Sequence, residues 1–273
     1  MDLQTHHVPT CLGRLRVRVA GSGPALMFWP SLMMDGELWM AQAQHFVGAY
    51  RVVLIDSPGH GGSEPLARLF GFDECARCVL QIMDSLGLRR AHFVGNSWCG
   101  MIGGTFAALH PERIGAAVLM NATASPARVQ QRIEYWLLTR MLYAIGEVRS
   151  PFVGLVIKAF IGPSTARDRP WVADAIRAAL KRSRARSVYW AIRSVVPARP
   201  DQRPLFASIR TPVMVVAGIE DQTFPVAETQ AMADAIPGST FVVLPETAHL
   251  AALERPDLVN PLIERFLLRH PLD

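Results

Sequence analysis

Gly95-Asn96-Ser97-Trp98-Cys99-Gly100 is the stretch that decides the fold of this chain. The strand-like run Ala91-His92-Phe93-Val94 leads into it, and the helix-like run from Met101 to His110 leads out. A serine between a strand and a helix, with small residues two positions away on each side, has the pattern of a nucleophile elbow. The spacing has a steric reason. So tight a turn brings positions 95 and 99 nearly into contact, so only small side chains fit there. Ser97 is pushed out to where a substrate reaches it. The first N–H groups of the helix, starting at Trp98, then point at any negative charge that develops nearby.

Small residues around serine are common in loops, so the pattern gains its weight from two later segments. Pro212 to Ala217 is a continuous apolar run, as expected of a strand buried on both faces. It leads into Gly218-Ile219-Glu220-Asp221-Gln222-Thr223-Phe224-Pro225. A carboxylate in such a turn accepts a hydrogen bond from a histidine N–H, which selects its tautomer and stabilises the imidazolium. Asp221 also suits the N-cap of a helix beginning near Pro225. The strand-like Thr240-Phe241-Val242-Val243-Leu244 precedes Ala248-His249-Leu250, and Glu254 and Pro256 follow where the last helix begins. Serine, aspartate and histidine, each just after a strand and in that order, predict a triad of Ser97, Asp221 and His249.

Strand and helix patterns alternate over the first 124 residues. Two strands are expected between about His7 and Val19, then Ala25–Trp29, a helix over Leu38–Val47, Arg51–Asp56, and Gly115–Met120. That alternation predicts a mainly parallel sheet with helices on both faces. From Ser125 to Pro204 only helical periodicity remains, broken by Pro151, Pro163, Pro170 and Pro197. The expected organisation is one α/β core, residues 1–124 and 205–273, with a helical cap, residues 125–204, inserted between two of its strands.

Half of the 273 residues are hydrophobic, enough for a large core. No apolar run reaches the length of a membrane span, and the N-terminus lacks a basic region followed by an apolar segment. With four cysteines and no secretory signal, reduced thiols and a cytoplasmic location are expected. Cys75-Ala76-Arg77-Cys78 has redox-motif spacing but falls within a helical pattern. No second pair is present for zinc, so it reads as a structural helix pair. The net charge is +5, carried by arginine, since Lys158 and Lys181 are the only lysines. The cluster Arg177, Lys181, Arg182, Arg184, Arg186 and Arg193 reads as a solvated helix face. No nucleic-acid-binding module accompanies it.

The chain as a whole resembles the α/β-hydrolase superfamily. The triad order carries the resemblance, together with Asp56-Ser57-Pro58-Gly59-His60-Gly61-Gly62-Ser63, which is similar to that family's Asp-x-x-Gly-x-Gly-x-Ser turn. His60 in it reads as a structural turn residue rather than a second base. Pro30-Ser31-Leu32-Met33-Met34-Asp35-Gly36-Glu37-Leu38-Trp39 and Leu119-Met120-Asn121-Ala122-Thr123 resemble segments of the enol-lactonase and esterase branch. The resemblance implies a mainly parallel eight-stranded sheet with an inserted cap. It also implies an oxyanion hole built from the backbone N–H groups of Leu32 and Trp98. Three departures stand out: Pro30 replaces a histidine that braces the loop, Met33 and Met34 replace small residues, and Cys99 replaces glycine. The first loosens the register, which leaves Ser31 as the alternative donor.

The implied chemistry is hydrolysis of a carboxylic ester or lactone through an acyl-enzyme, with no metal or organic cofactor. Trp29, Met33, Met34, Trp136 and Tyr143 are the candidate pocket residues, with the other cap aromatics expected in the cap's own core. An apolar pocket suits a neutral acyl ester or lactone, N-acyl homoserine lactones among them. No arginine could be placed near the triad, which disfavours a dianionic substrate. Two alternatives share these residues: a perhydrolase or haloperoxidase-like enzyme, and a ligand receptor of the same fold that does not turn over.

Overall fold

The computed structural model describes residues 1–272. Eight strands form one sheet: β1 (Gln4–Thr10), β2 (Gly13–Ala20), β3 (Ala25–Trp29), β4 (Arg51–Ile55), β5 (Ala91–Asn96), β6 (Ile114–Met120), β7 (Val213–Gly218) and β8 (Thr240–Leu244). Their order across the sheet is β1-β2-β4-β3-β5-β6-β7-β8. β1 and β2 are antiparallel to their neighbours, and β4 through β8 pair in parallel. The central strands β3, β5, β6 and β7 are buried along their whole length, and this is why they read as unbroken apolar runs. Because they are parallel, their C-terminal ends lie along one edge, and the loops that follow them meet there.

The helices are α1 (Met40–Phe46), α2 (Phe72–Ser85), α3 (Trp98–Leu109), α4 (Val129–Ile145), α5 (Phe152–Phe160), α6 (Pro163–Asp168), α7 (Trp171–Lys181), α8 (Ala185–Val195), α9 (Arg203–Phe206), α10 (Val226–Asp234), α11 (Ala251–Glu254) and α12 (Pro256–Leu268). Helix α3 packs on β5 and β6, and α10 packs on β7. Six helices, α4 to α9, separate β6 from β7 in sequence, with no strand among them. The helix expected over Leu38–Val47 is split. A 3-10 turn, Gly36–Trp39, precedes α1, because the Asp35 side chain accepts the Glu37 N–H at 3.1 Å and caps a separate start.

Cys75 and Cys78 lie on the buried side of α2 as free thiols. Burial pushes the Cys78 thiol up to about 12, so it is not a reactive thiolate near neutrality. The basic cluster is not uniformly solvated. Arg182 reaches across to Asp35, with Nε 2.7 Å from Oδ2.

His92 on β5 is fully enclosed, and burial, reinforced by Arg90 and His270, holds its imidazole down at about 4. In the unfolded chain it takes a proton near its ordinary value of 6.5. The unfolded state therefore binds more protons in this range. Stability is complete above pH ~6.5 and declines as pH falls through about 4, by up to about 3 kcal/mol. Urea unfolding across this range should show that decline in the wild type and a shallower one in His92→Phe. Equal slopes would place the acid sensitivity elsewhere.

Candidate active site

Ser97 stands between β5 and α3 with φ 59° and ψ −123°, a conformation that a non-glycine residue holds only when its surroundings impose it. Its N–H donates to the Met120 carbonyl at 2.8 Å, which ties the turn to β6. A Cβ at Gly95 would collide with the Cys99 carbonyl oxygen, so the close approach of positions 95 and 99 is real. Ser97 retains 6% exposure, its neighbours Asn96 and Trp98 none.

Asp221 and His249 meet in the loops after β7 and β8. His249 Nδ1 lies 2.9 Å from Asp221 Oδ2, and neither side chain is exposed. Asp221 is not the N-cap of α10, whose N-cap is Pro225 with no side-chain cap bond; its two oxygens instead serve the imidazole and the turn that precedes the helix. Oδ2 faces the imidazole, and Oδ1 accepts the N–H groups of Thr223 at 2.8 Å and Phe224 at 3.2 Å at the approach to α10. A hydrogen bond from Nδ1 to the carboxylate leaves Nε2 as the basic nitrogen. Among the described residues, Nε2 has no hydrogen-bond partner, and it is not bonded to the Ser97 hydroxyl. Such contacts are often long in unliganded sites and tighten around substrate.

Two asparagines that end strands hold these loops together. Asn96 Nδ2 donates to the His249 carbonyl at 2.8 Å, so the histidine loop touches the residue just before the serine. Asn121, just after β6, donates from Nδ2 to Asp221 Oδ2 at 3.0 Å and to the Ala248 carbonyl at 2.9 Å. Gly218 leaves room for that approach, since a Cβ there would strike the Thr247 and Ala248 carbonyls. Neither asparagine was singled out from the sequence. The available signal was an amide closing an otherwise apolar strand, where only a buried partner justifies it.

The segment after β3 folds as a turn in which Met34 N–H donates to the Ser31 carbonyl at 3.0 Å and Met33 takes φ 66°. Ser31 Oγ accepts from Asn96 Nδ2 at 2.7 Å, which docks the turn beside the serine. Met33 N–H donates to His60 Nε2 at 3.0 Å, and His60 Nδ1 bonds the Pro58 carbonyl at 2.9 Å. His60 is therefore a brace, as its place in a structural turn suggested. Burial lowers its affinity for a proton, which preserves the acceptor nitrogen. Among the described residues, the N–H groups of Leu32 and Trp98 have no acceptor. Met33 and Met34 are both buried in this turn.

Among the helices that follow β6, the end of α5 packs against the histidine. The Phe160 ring at the end of α5 lies 4.9 Å from the His249 ring, and the Phe160 carbonyl accepts the His249 N–H at 3.3 Å. Two carboxylates anchor α6 immediately beyond. Glu220 takes the Ser164 hydroxyl and the Ser164 N–H, so it faces away from His249 and is no substitute for Asp221. Glu254 takes the Thr165 hydroxyl and also both peptide N–H groups flanking His249, Ala248 at 3.0 Å and Leu250 at 2.8 Å. Burial holds the Glu254 carboxyl above its ordinary value, and those three donors and the nearby His249 offset this only in part. Glu254→Gln turns an amide NH2 toward one of the flanking N–H groups. An unsatisfied buried donor costs about 1–3 kcal/mol of folding stability, and the loosened hold on the His249 segment should lower kcat with KM held. Unchanged steady-state kinetics would restrict Glu254 to anchoring α6.

Three of the expected pocket residues lie elsewhere. Trp29 belongs to the core: it is fully enclosed, with its indole N–H on Ser57 Oγ at 2.6 Å and its ring 6.4 Å from Phe93. Trp136 is 49% exposed on the outside of α4, and Tyr143, also 49% exposed, sits beside α8 with its ring 4.8 Å from that of Tyr189. Met141 and Trp171 are likewise exposed rather than packed in a core of their own. Charged partners and helix phase decided this: the Arg140 guanidinium covers Trp136 and Arg186 covers Tyr143. One buried arginine packs on a ring that in turn faces His249, without touching the triad itself. Arg199 is 6% exposed, its guanidinium sits 5.6 Å from the Phe224 ring centre, and Phe224 in turn lies 5.7 Å from the His249 ring. Arg199 Nε holds the Ser125 carbonyl at 2.8 Å, and among the described residues no carboxylate lies within ion-pair distance of it, Glu228 being the nearby one that acts on its charge. Together with Gln131, Phe224 and Glu228 it lines a cavity of about 330 Å3.

Residues 24–256 match the family model for the alpha/beta hydrolase fold. The chain belongs to the α/β-hydrolase family. Among its relatives is 3-oxoadipate enol-lactonase 2 of Acinetobacter baylyi, 27% identical over 90% of this hydrolase and 89% of that protein. Another is a 2-hydroxy-6-oxononadienedioate/2-hydroxy-6-oxononatrienedioate hydrolase of Paraburkholderia phymatum, 26% identical over 97% of this chain and 91% of the relative. The crystal structure of the enol-lactonase from Burkholderia xenovorans superposes with a TM-score of 0.86 at 25% identity, covering 97% of this chain and 100% of that one.

Proposed function

We propose that this hydrolase cleaves carboxylic esters or lactones with Ser97 as nucleophile, His249 as base and Asp221 as its orienting carboxylate. The observation that carries the reading is the wholly buried His249–Asp221 pair at 2.9 Å, in a loop hydrogen-bonded to the residue beside Ser97. His249 Nε2 takes the Ser97 proton as Oγ attacks the carbonyl carbon. The Leu32 and Trp98 N–H groups receive the oxyanion, each worth about 3–4 kcal/mol of transition-state stabilisation. His249 then protonates the leaving alkoxide, which in a lactone stays tethered to the acyl group. Water activated by His249 releases the acid. The helices between β6 and β7 act as the cap, and Met33 and Met34 line the acyl side with adaptable apolar surface. A panel of aryl esters, lactones and acyl homoserine lactones, with ring opening followed by proton release, tests the reading. Turnover of esters or lactones that depends on Ser97 supports it, and turnover unaffected by Ser97→Ala removes it.

Arg199 favours a second reading of the substrate, in which the acyl group ends in a carboxylate. A buried guanidinium without a carboxylate partner stabilises an incoming anion more than an exposed one does. The enol-lactonase and nonadienedioate hydrolase names of two relatives agree with such a substrate. Arg199→Met should then lower kcat/KM for a carboxylate-bearing ester about 10- to 100-fold and leave its neutral methyl-capped twin unchanged. Equal losses on both esters would return the assignment to neutral acyl substrates.

A further inference from the structure

Helix α4 has two apolar faces and only one of them is packed. Gln131, Tyr135, Leu138, Thr139 and Leu142 turn inward, and the helix rests on α8. At 100° per residue the opposite side carries Val129, Ile133, Trp136, Leu137, Arg140 and Ala144. On that side Val129 is 73%, Ile133 56% and Leu137 52% exposed. A surface helix ordinarily presents charged and polar residues there. The stripe runs the length of a 17-residue helix, about 25 Å.

The charges around the stripe choose its occupant. Arg128 precedes the helix, Arg132 flanks the stripe, and Arg140 stands in its middle with its guanidinium 5.4 Å from the Trp136 ring centre. Glu134 is the one carboxylate on α4, and it is engaged by Gln130 at 2.8 Å. A two-fold pairing of this face with itself would bury Arg140 in an apolar seam with no carboxylate on that face. A lipid surface solves the same problem, because the arginine stems lie along the apolar stripe while the guanidinium groups reach anionic headgroups. A tryptophan on such a face is suited to the headgroup boundary.

We propose that the outer face of α4 docks the protein on an anionic lipid surface. The proposal needs no membrane-spanning segment, and it does not depend on which ester is cleaved. It is tested by flotation with vesicles of phosphatidylcholine alone and of phosphatidylcholine mixed with phosphatidylglycerol, alongside light scattering for oligomeric state. The expected result is binding to the anionic vesicles at least about tenfold above that to phosphatidylcholine, weakened by salt. Ile133→Glu with Leu137→Glu should abolish it, and Arg132→Gln with Arg140→Gln should reduce it severalfold. These positions are on the solvent side, so circular dichroism and turnover of a soluble ester should match the wild type. Equal binding to both vesicle types overturns the anionic assignment. A dimer dispersed by the glutamate pair, with no flotation, gives the face to a second copy. A monomer that floats with neither vesicle leaves the proposal refuted.

Discussion

Ser97→Ala is expected to lower kcat on esters and lactones by about 10⁶-fold, to the residual level that binding and an oxyanion hole alone sustain. KM should change little, since the hydroxyl contributes bond formation rather than substrate affinity. The fold should persist, because Ser97 is fixed by its backbone: its N–H is on the Met120 carbonyl, and no partner of its hydroxyl is lost. Serine and alanine both carry a β-carbon, so the strain of φ near 59° is common to wild type and variant, and the unfolding free energy should stay close to that of the wild type. The measurement is a pre-steady-state burst with an activated aryl ester. The wild type should release about one equivalent of phenol per enzyme before the linear phase, and the variant none. A variant that keeps the burst would mean that another group carries the acyl intermediate.

Asp221→Asn should cost about 10⁴-fold in kcat while leaving the overall structure unchanged. The reason lies in the four contacts this carboxylate receives. Oδ1 serves two backbone N–H groups, and Oδ2 receives both His249 Nδ1 and Asn121 Nδ2. An asparagine keeps the first pair through its carbonyl oxygen. It then turns an NH2 toward the imidazole, which selects the tautomer with hydrogen on Nε2. That tautomer cannot take the Ser97 proton. The flanking carboxylates offer no rescue, because Glu220 is committed to Ser164 and Glu254 to the peptide N–H groups around His249. Burst kinetics together with a thermal melt would separate the outcomes. A normal burst would show that the histidine is oriented by other contacts, with the backbone clamp of Glu254 the first to examine.

The elbow was legible because its geometry is local. Gly95 and Cys99 are four residues apart, and the steric demand of the turn is written in their size. The apolar runs of β3, β5, β6 and β7 were legible for the same reason, since strands buried on both faces need no polar alternation. His60 could be read as structural from its turn, but the atom it braces, the Met33 N–H, could not. The aromatic residues of α4 were misplaced because composition does not say which face a helix turns inward. Trp136 and Leu142 are equally apolar, yet one is solvated and the other buried.

The order of chemical groups along the chain was therefore determined by the sequence alone, through short-range sterics and the periodicity of buried strands. What only the tertiary structure decided was which distant groups share a polar contact. Asn96 grips a carbonyl 153 residues away, and Asn121 one 127 residues away. Arg199 reaches the histidine's vicinity through the Phe224 ring. Such partners are selected by the packing of whole elements, where each buried polar atom takes whatever complement the fold brings within reach.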